Sequence, residues 1–303
     1  MASLQAHFLD LLMRTNVKWK LSGSSMDLGL ARRVLSGGSM PAAPGVVFRG
    51  DTVGGVPGEW AEAPGPPKAT LLYLHGGGYF ACSPRTHRPI TAAYAKRGFA
   101  VFVPDYRLAP EDPYPAAIED AVAVWNGLLA LGLPAEKLTV SGDSAGGGLT
   151  IALLLSLRDR GQTLPAAAAL LSPWTDLAVT GDSIAENAWK EAMFTGTGLK
   201  NAGALYLDGA DATTPLASPL YADLAGLPPL IIHAGLREIL RDDSTRFAER
   251  ATAGGVSVEL RLWPVVPHVW QLAQFVPEAR LSMDQLAAFL LARAAAQDTQ
   301  RDG

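Results

Sequence analysis

Ser144 stands in Gly142-Asp143-Ser144-Ala145-Gly146, between a β-rich apolar run, Lys137-Leu138-Thr139-Val140, and a longer one from Leu149 to Leu157. A serine framed this way at a strand-to-helix turn has its hydroxyl pushed out above a sheet. The turn is so tight that only small residues fit two positions to either side. The five-residue pattern alone is common by chance. Its weight comes from His75-Gly76-Gly77-Gly78, which follows the apolar run Thr70-Leu71-Leu72-Tyr73-Leu74. Glycine lets backbone N–H groups approach a reacting carbonyl closely, so the two segments point to acyl transfer. Ser144 is the expected nucleophile, and the N–H groups of Gly77, Gly78 and Ala145 are the expected oxyanion donors.

A serine hydroxyl at neutral pH needs a base, and the base needs an acid that fixes its tautomer. In the chain order serine, acid, histidine, only His233 and His268 of the five histidines follow Ser144. His233 lies inside the apolar strand Leu230-Ile231-Ile232-His233-Ala234 and reads as a core or strand-end histidine. His268 ends the loop Pro264-Val265-Val266-Pro267-His268, free to reach over a strand edge, and is the expected base. The acid must come from the loop and helix start after Ala234, where Glu238, Asp242 and Asp243 offer carboxylates. Asp242 and Asp243 sit where a helix begins and suit its N-terminus. Glu238 lies in the loop itself and is the expected acid, with Asp242 next.

The elements that position these groups follow from periodicity. From Thr70 onward short β-rich runs alternate with longer helical ones, which predicts an α/β fold: a mostly parallel sheet with helices on both faces. The expected strands are Thr70–Leu74, Phe99–Val103, Leu138–Val140, Ala167–Leu171, Leu230–Ala234 and Val256–Leu262, preceded by a short one at Val46-Val47-Phe48 among Pro- and Gly-rich loops. The expected helices are His87–Arg97, Tyr114–Leu131, Ala145–Arg160, Arg241–Ala253 and Glu278–Gln297. Two segments stand outside the alternation. Residues 1–35 carry Phe8, Leu11, Leu12 and Trp19 on a helical stripe, and residues 183–207 carry Trp189, Met193, Phe194 and Leu199. Both are read as a lid over the strand ends.

Composition bounds the partners. The chain has 303 residues, 49% of them hydrophobic, and a formal charge of −4, so neither nucleic acid nor an anionic membrane is an expected partner. No apolar run is long enough to span a bilayer, and the first 21 residues lack a small-residue cleavage site, which together predict a cytoplasmic protein. Cys82 is the only cysteine, which excludes an intrachain disulfide and a cysteine-rich metal site; it reads as a small loop or core residue. The chemistry requires no metal and no organic cofactor.

Four motifs in order resemble the bacterial hormone-sensitive-lipase-like esterases of the α/β-hydrolase fold. They are His75-Gly76-Gly77-Gly78, Tyr106-Arg107-Leu108-Ala109-Pro110-Glu111, Gly142-Asp143-Ser144-Ala145-Gly146-Gly147 and Ser172-Pro173-Trp174-Thr175-Asp176-Leu177, and the resemblance extends from about Thr70 to His268. It implies a carboxylic ester hydrolase for short to medium acyl chains, with a helical cap at residues 1–40 and a catalytic domain at 41–303 that holds a further cap segment at about 183–207. The family commonly has Asp-Pro-Leu-x-Asp after its seventh strand; here the positions read Glu238-Ile239-Leu240-Arg241-Asp242, so Glu238 replaces the usual aspartate.

Position makes Tyr79, Phe80, Met193 and Phe194 the expected substrate-binding residues. Asp143 is expected to brace the elbow by hydrogen bonds, and Arg107 to pair with Glu111. The reading is a serine carboxylesterase acting on a small-molecule ester through an acyl-enzyme. An amidase or acyltransferase shares the first half-reaction, and a non-catalytic receptor is the alternative outside enzymology. An open edge at Val256–Leu262 would favour a homodimer.

Overall fold

A computed structural model of the chain describes residues 2–21, 27–37 and 43–296. Eight strands form one sheet: β1 (Val47–Val53), β2 (Val56–Glu62), β3 (Ala69–Leu74), β4 (Phe99–Pro104), β5 (Leu138–Asp143), β6 (Ala168–Leu171), β7 (Leu230–Gly235) and β8 (Val258–Trp263). Their order is β1-β2-β4-β3-β5-β6-β7-β8. From β4 to β8 neighbours run parallel, and β1 and β2 are antiparallel additions at one edge. The helices are α1 (Leu4–Met13), α2 (Trp19–Leu21), α3 (Leu28–Ser36), α4 (Arg88–Ala95), α5 (Ala116–Ala130), α6 (Ala145–Asp159), α7 (Ser183–Glu186), α8 (Gly196–Leu207), α9 (Arg241–Ala253) and α10 (Pro277–Ala296). This is the α/β-hydrolase architecture that the alternation and the motifs predict. No described helix is long and apolar enough to cross a membrane.

The central strands are legible because they are buried on both faces. β3, β4, β5, β6 and β7 are buried along their whole lengths, so each reads as an unbroken apolar run. Alternation still sorts the side chains. Leu72 and Leu74 join Val140 and Leu153 in the core on one face, while Leu71 and Tyr73 join Val101 and Leu286 on the other. The sheet switches direction at β3, whose sequence successor β4 lies on one side and whose other neighbour is β5. The loops leaving β3 and β5 therefore diverge, and the crevice between them is where open α/β sheets bind ligands.

Three expectations need correction. The Gly- and Pro-rich stretch after Val53 holds a strand, not only loops. β1 and β2 form a hairpin closed by Gly54 and Gly55, both at positive φ, with Val53 opposite Val56. Pro57, Gly58 and Glu59 are poor strand formers; all three pair with β1, and Gly58 and Glu59 also with β4, which overrides their propensity. The N-terminal stripe is on the other face of its helix. Ala6 and Leu9 pack against Trp263, Val266 and Trp270, whereas Phe8, Leu11 and Leu12 are exposed. Both sets have helical spacing, and the smaller one wins because Ala6 lets the helix approach two indole rings closely. Trp189, in the second segment, is exposed as well. Last, Arg107 does not pair with Glu111. It binds Asp120 and Glu119, and Glu111 is taken by Arg32 of α3. Met1, residues 22–26 and 38–42, the side chain of Trp19 and the last residue of the expected final helix lie outside what is described.

Candidate active site

β5 ends in a turn that holds Ser144 at φ +53° and ψ −122°, a strained conformation for a residue with a Cβ. Four hydrogen bonds impose it: the Ser144 N–H donates to the Leu171 carbonyl at 2.9 Å, and its own carbonyl accepts from the N–H groups of Trp174, Gly147 and Gly148 at 2.9–3.1 Å. The hydroxyl is not used to cap α6. Small neighbours are obligatory here. A Cβ on Gly146 would lie 2.1 Å from the Leu74 carbonyl oxygen, and one on Gly142 would lie 2.2 Å from that of Gly146. Asp143 braces the turn as expected, accepting from the Tyr73 hydroxyl at 2.6 Å, the Gly76 N–H at 3.0 Å and lying 3.2 Å from His87 Nε2. Burial pushes its carboxyl up, but His87 and the Tyr73 hydrogen bond outweigh burial and hold it below the usual range.

The loops after β7 and β8 bring Glu238 to His268. Glu238 Oε2 lies 2.6 Å from His268 Nδ1, with both side chains buried. The other carboxylate oxygen accepts from the Ser172 hydroxyl at 2.8 Å and from the Gly235 N–H. The alternative acid points elsewhere: Asp242 accepts from the Ser183 N–H at 2.8 Å and from Arg241. His268 Nε2 is buried without a hydrogen-bond partner among the described residues. Burial is the strongest influence on the imidazole and lowers its proton affinity. The adjacent Glu238, its hydrogen bond, and the charges of Glu191 and Asp143 together reverse this, so His268 is raised above its ordinary value of 6.5. His233 is a strand histidine, as expected. It is buried, its Nδ1 lies 2.8 Å from the Ser282 hydroxyl, and burial lowers it to about 3.

Ser144 and His268 open into one cavity of about 420 Å³. Gly77 and Gly78 line it with them, and no described backbone carbonyl accepts from the N–H of Gly77, Gly78 or Ala145. Gly77 has φ +117°, and a Cβ there would meet the Ala81 carbonyl oxygen at 2.1 Å. His75 braces this loop: its Nδ1 lies 2.8 Å from the Gly76 carbonyl, and its ring stacks on Tyr106. Of the expected substrate-binding residues, Phe80, Met193 and Phe194 line the cavity, Phe194 edge-on to the His268 ring at 5.2 Å. Tyr79 does not. It is buried at positive φ and stacks on Tyr206 at 3.8 Å. The N-terminal segment supplies Leu9, Met13 and Val17, and α8 supplies Leu199 and Ala202. Cys82 also touches the cavity, with burial pushing its thiol up to about 12, so it stays protonated and inert.

Sequence reasoning missed Ser172 as a support for the acid. It lies in a quoted motif at the end of β6, but only its positive φ of 45° and the packing of β7 beside it direct its hydroxyl to Glu238.

Comparison with known proteins identifies the family and fold. The family described as alpha/beta hydrolase fold matches residues 71–272. An acetyl-hydrolase of Streptomyces hygroscopicus is 43% identical over 255 residues, 84% of either chain. The crystal structure of EstE5 soaked by p-nitrophenyl butyrate superposes with a TM-score of 0.92 at 39% identity, covering 97% of this chain and all of the other. An esterase of the bacterial hormone-sensitive lipase family superposes at 0.91 with 40% identity, covering 97% and 99%. Identity of this order over nearly the whole length settles lineage as well as fold, and the chain belongs to the α/β-hydrolase family, among the bacterial hormone-sensitive-lipase-like esterases.

Proposed function

We propose that the chain is a serine carboxylesterase that hydrolyses small, uncharged esters of short to medium acyl length through an acyl-enzyme. The observation that carries the reading is the buried 2.6 Å contact between Glu238 and His268 Nδ1, which leaves Nε2 as the unpartnered nitrogen in the cavity that Ser144 also lines. A carboxylate accepting from Nδ1–H fixes the tautomer in which Nε2 is a base. His268 then takes the Ser144 proton as Oγ attacks the ester carbonyl. The tetrahedral oxyanion is received by the N–H groups of Gly77, Gly78 and Ala145, each worth about 2.7–4 kcal/mol in such a hole. Collapse expels the alcohol, which leaves with the proton held on Nε2. Water then enters, His268 activates it in the same way, and the acid is released from Ser144.

The cavity supports the substrate class. Its walls at Leu9, Met13, Val17, Phe80, Met193 and Leu199 are apolar and suit an acyl chain, while Lys20 and Asp27 also line the cavity. Residues 2–21, 27–36 and 183–207 all contribute to these walls, which supports their reading as cap segments of one catalytic domain. The test is hydrolysis of p-nitrophenyl esters from acetyl to long acyl chains by the native protein and by Ser144→Ala. Activity on short chains that the substitution abolishes supports the proposal, and equal activity in both overturns it.

A further inference from the structure

Glu191 is 2% exposed, carries a formal charge, and has no part in the chemistry above. One carboxylate oxygen accepts from the Met193 N–H at 2.7 Å and the other from the Ile239 N–H at 3.0 Å. Ile239 directly follows Glu238, and Met193 is a wall of the cavity. Both oxygens thus serve as acceptors for backbone N–H groups of the two segments. The same segment grips the acid loop twice more. Asn187 Nδ2 donates to the Glu238 and Leu236 carbonyls at 2.9 and 3.0 Å, and the Ser183 hydroxyl donates to the Ile239 carbonyl at 2.6 Å. From the other side, the N-terminal segment holds this segment by its main chain: Lys18 donates to the Ala188 and Glu191 carbonyls at 2.7 Å, and Arg14 donates to those of Trp189 and Lys190.

Burying a carboxylate beside another one is costly, and a neutral residue could pack in this space. What a carboxylate adds is a fixed acceptor pair and a negative charge near the imidazole. We propose that Glu191 is a positioning residue for the reaction, tying the Glu238 loop to the cavity wall while adding its charge to that of Glu238 on His268. The inference rests on the serine-esterase reading for its catalytic consequence. The groups around it are Glu238 and His268 on the catalytic loops and Lys18 on the N-terminal segment, with Arg14 and Asp10 beyond. Those facing His268 are Glu238, Glu191 and Asp143. Burial and Glu238 raise the Glu191 carboxyl, and its charge in turn raises His268.

The decisive comparison is the native protein with Glu191→Gln and Glu191→Ala, assayed on p-nitrophenyl butyrate from pH 5 to 9. Glu191→Gln keeps the volume but loses the charge and one of the two acceptor oxygens, so the acidic midpoint of kcat/KM moves to lower pH. Glu191→Ala also releases the loop, and kcat falls about 10- to 100-fold with little change in KM. An unmoved acidic midpoint, or a loss confined to KM, overturns the proposal and leaves Glu191 as a prop for Met193. A readout independent of turnover is the downfield proton NMR signal of His268 Nδ1–H, assigned by its loss in His268→Ala. It should follow the lowered proton affinity in Glu191→Gln even if the native chain hydrolyses no ester, which would fault only the esterase reading. A signal that titrates as in the native protein overturns the proposal. If Glu191→Ala does not fold, these two measurements on Glu191→Gln decide the matter.

Discussion

Glu238 Oε2 and His268 Nδ1 approach to 2.6 Å from loops that follow two neighbouring parallel strands, β7 and β8. Glycine at position 235 is part of how this happens. A Cβ there would lie 2.9 Å from Glu238 Oε1, in the space where the longer side chain of a glutamate folds back to take the Gly235 N–H.

The two candidate acids should separate cleanly. Glu238→Ala is expected to lower kcat about 10⁴-fold, the scale seen when the orienting acid of such a triad is lost. Asp242→Ala should leave kcat within a few-fold and reduce stability by about 1 kcal/mol through lost hydrogen bonds to Ser183 and Arg241. Steady-state kinetics with urea unfolding of both variants makes the comparison.

The pH profile follows from the sign of the His268 shift. The neutral imidazole is the active base, and its proton affinity is raised, so activity is complete above the shifted value and is lost as pH falls through it. The acidic midpoint of kcat/KM is therefore expected above 6.5, and a midpoint below 6.5 contradicts the dominance of the surrounding carboxylates over burial.

Gly146→Ala drives a Cβ into the Leu74 and His75 carbonyls, both backbone, and should cost about 3 kcal/mol or more, with loss of activity in whatever folds. Gly161→Ala is the control. It has φ +63° but open space, so only the left-handed penalty of about 1–2 kcal/mol applies. Thermal melts of the two variants test the difference.

Arg32 ties α3 to the oxyanion side of the site, donating to Glu111 and to the Phe80 and Ala109 carbonyls. Because the pair is partly exposed, its loss is expected to be modest in stability. Arg32→Ala should raise KM several-fold with kcat nearly unchanged, and should speed protease cleavage within residues 2–36. Unchanged KM and digestion would argue against this segment acting as a cap.

β8 ends the sheet with an open edge, and Leu260 on it is exposed. The expected consequence is a homodimer formed through this edge. Light scattering should give the mass of two chains and, for Leu260→Pro, of one; a native mass of one chain removes the expectation.

Much of the site is legible in the amino-acid order alone, for a physical reason. A nucleophile elbow and an oxyanion loop are backbone devices, so their demands fall on residues close in sequence: Gly142 and Gly146 around Ser144, and the glycines after His75. The buried strands are legible too, since burial on both faces forces unbroken apolar runs. β2 is hidden because Pro57, Gly58 and Glu59 take their strand conformation from pairing with β1 and, for Gly58 and Glu59, with β4.

What only the tertiary structure decided were choices between residues of equal local merit. Phe8, Leu11 and Leu12 have the same helical period as Ala6 and Leu9; which face turns inward depends on the shape of Trp263 and Trp270 across the contact. Arg107 and Glu111 have opposite charges four residues apart, yet Arg107 turns to Glu119 and Asp120 of the next helix, α5, and Glu111 to Arg32 of α3. The choice of Glu238 over Asp242, the support from Ser172 and the burial of Glu191 all depend on where loops meet after the sheet is assembled. The sequence determined the scaffold and which residues are candidates for the chemistry, because local backbone geometry and burial leave a periodic signature. The side-chain partnerships left none, because they are made across the fold, where distance along the chain carries no information.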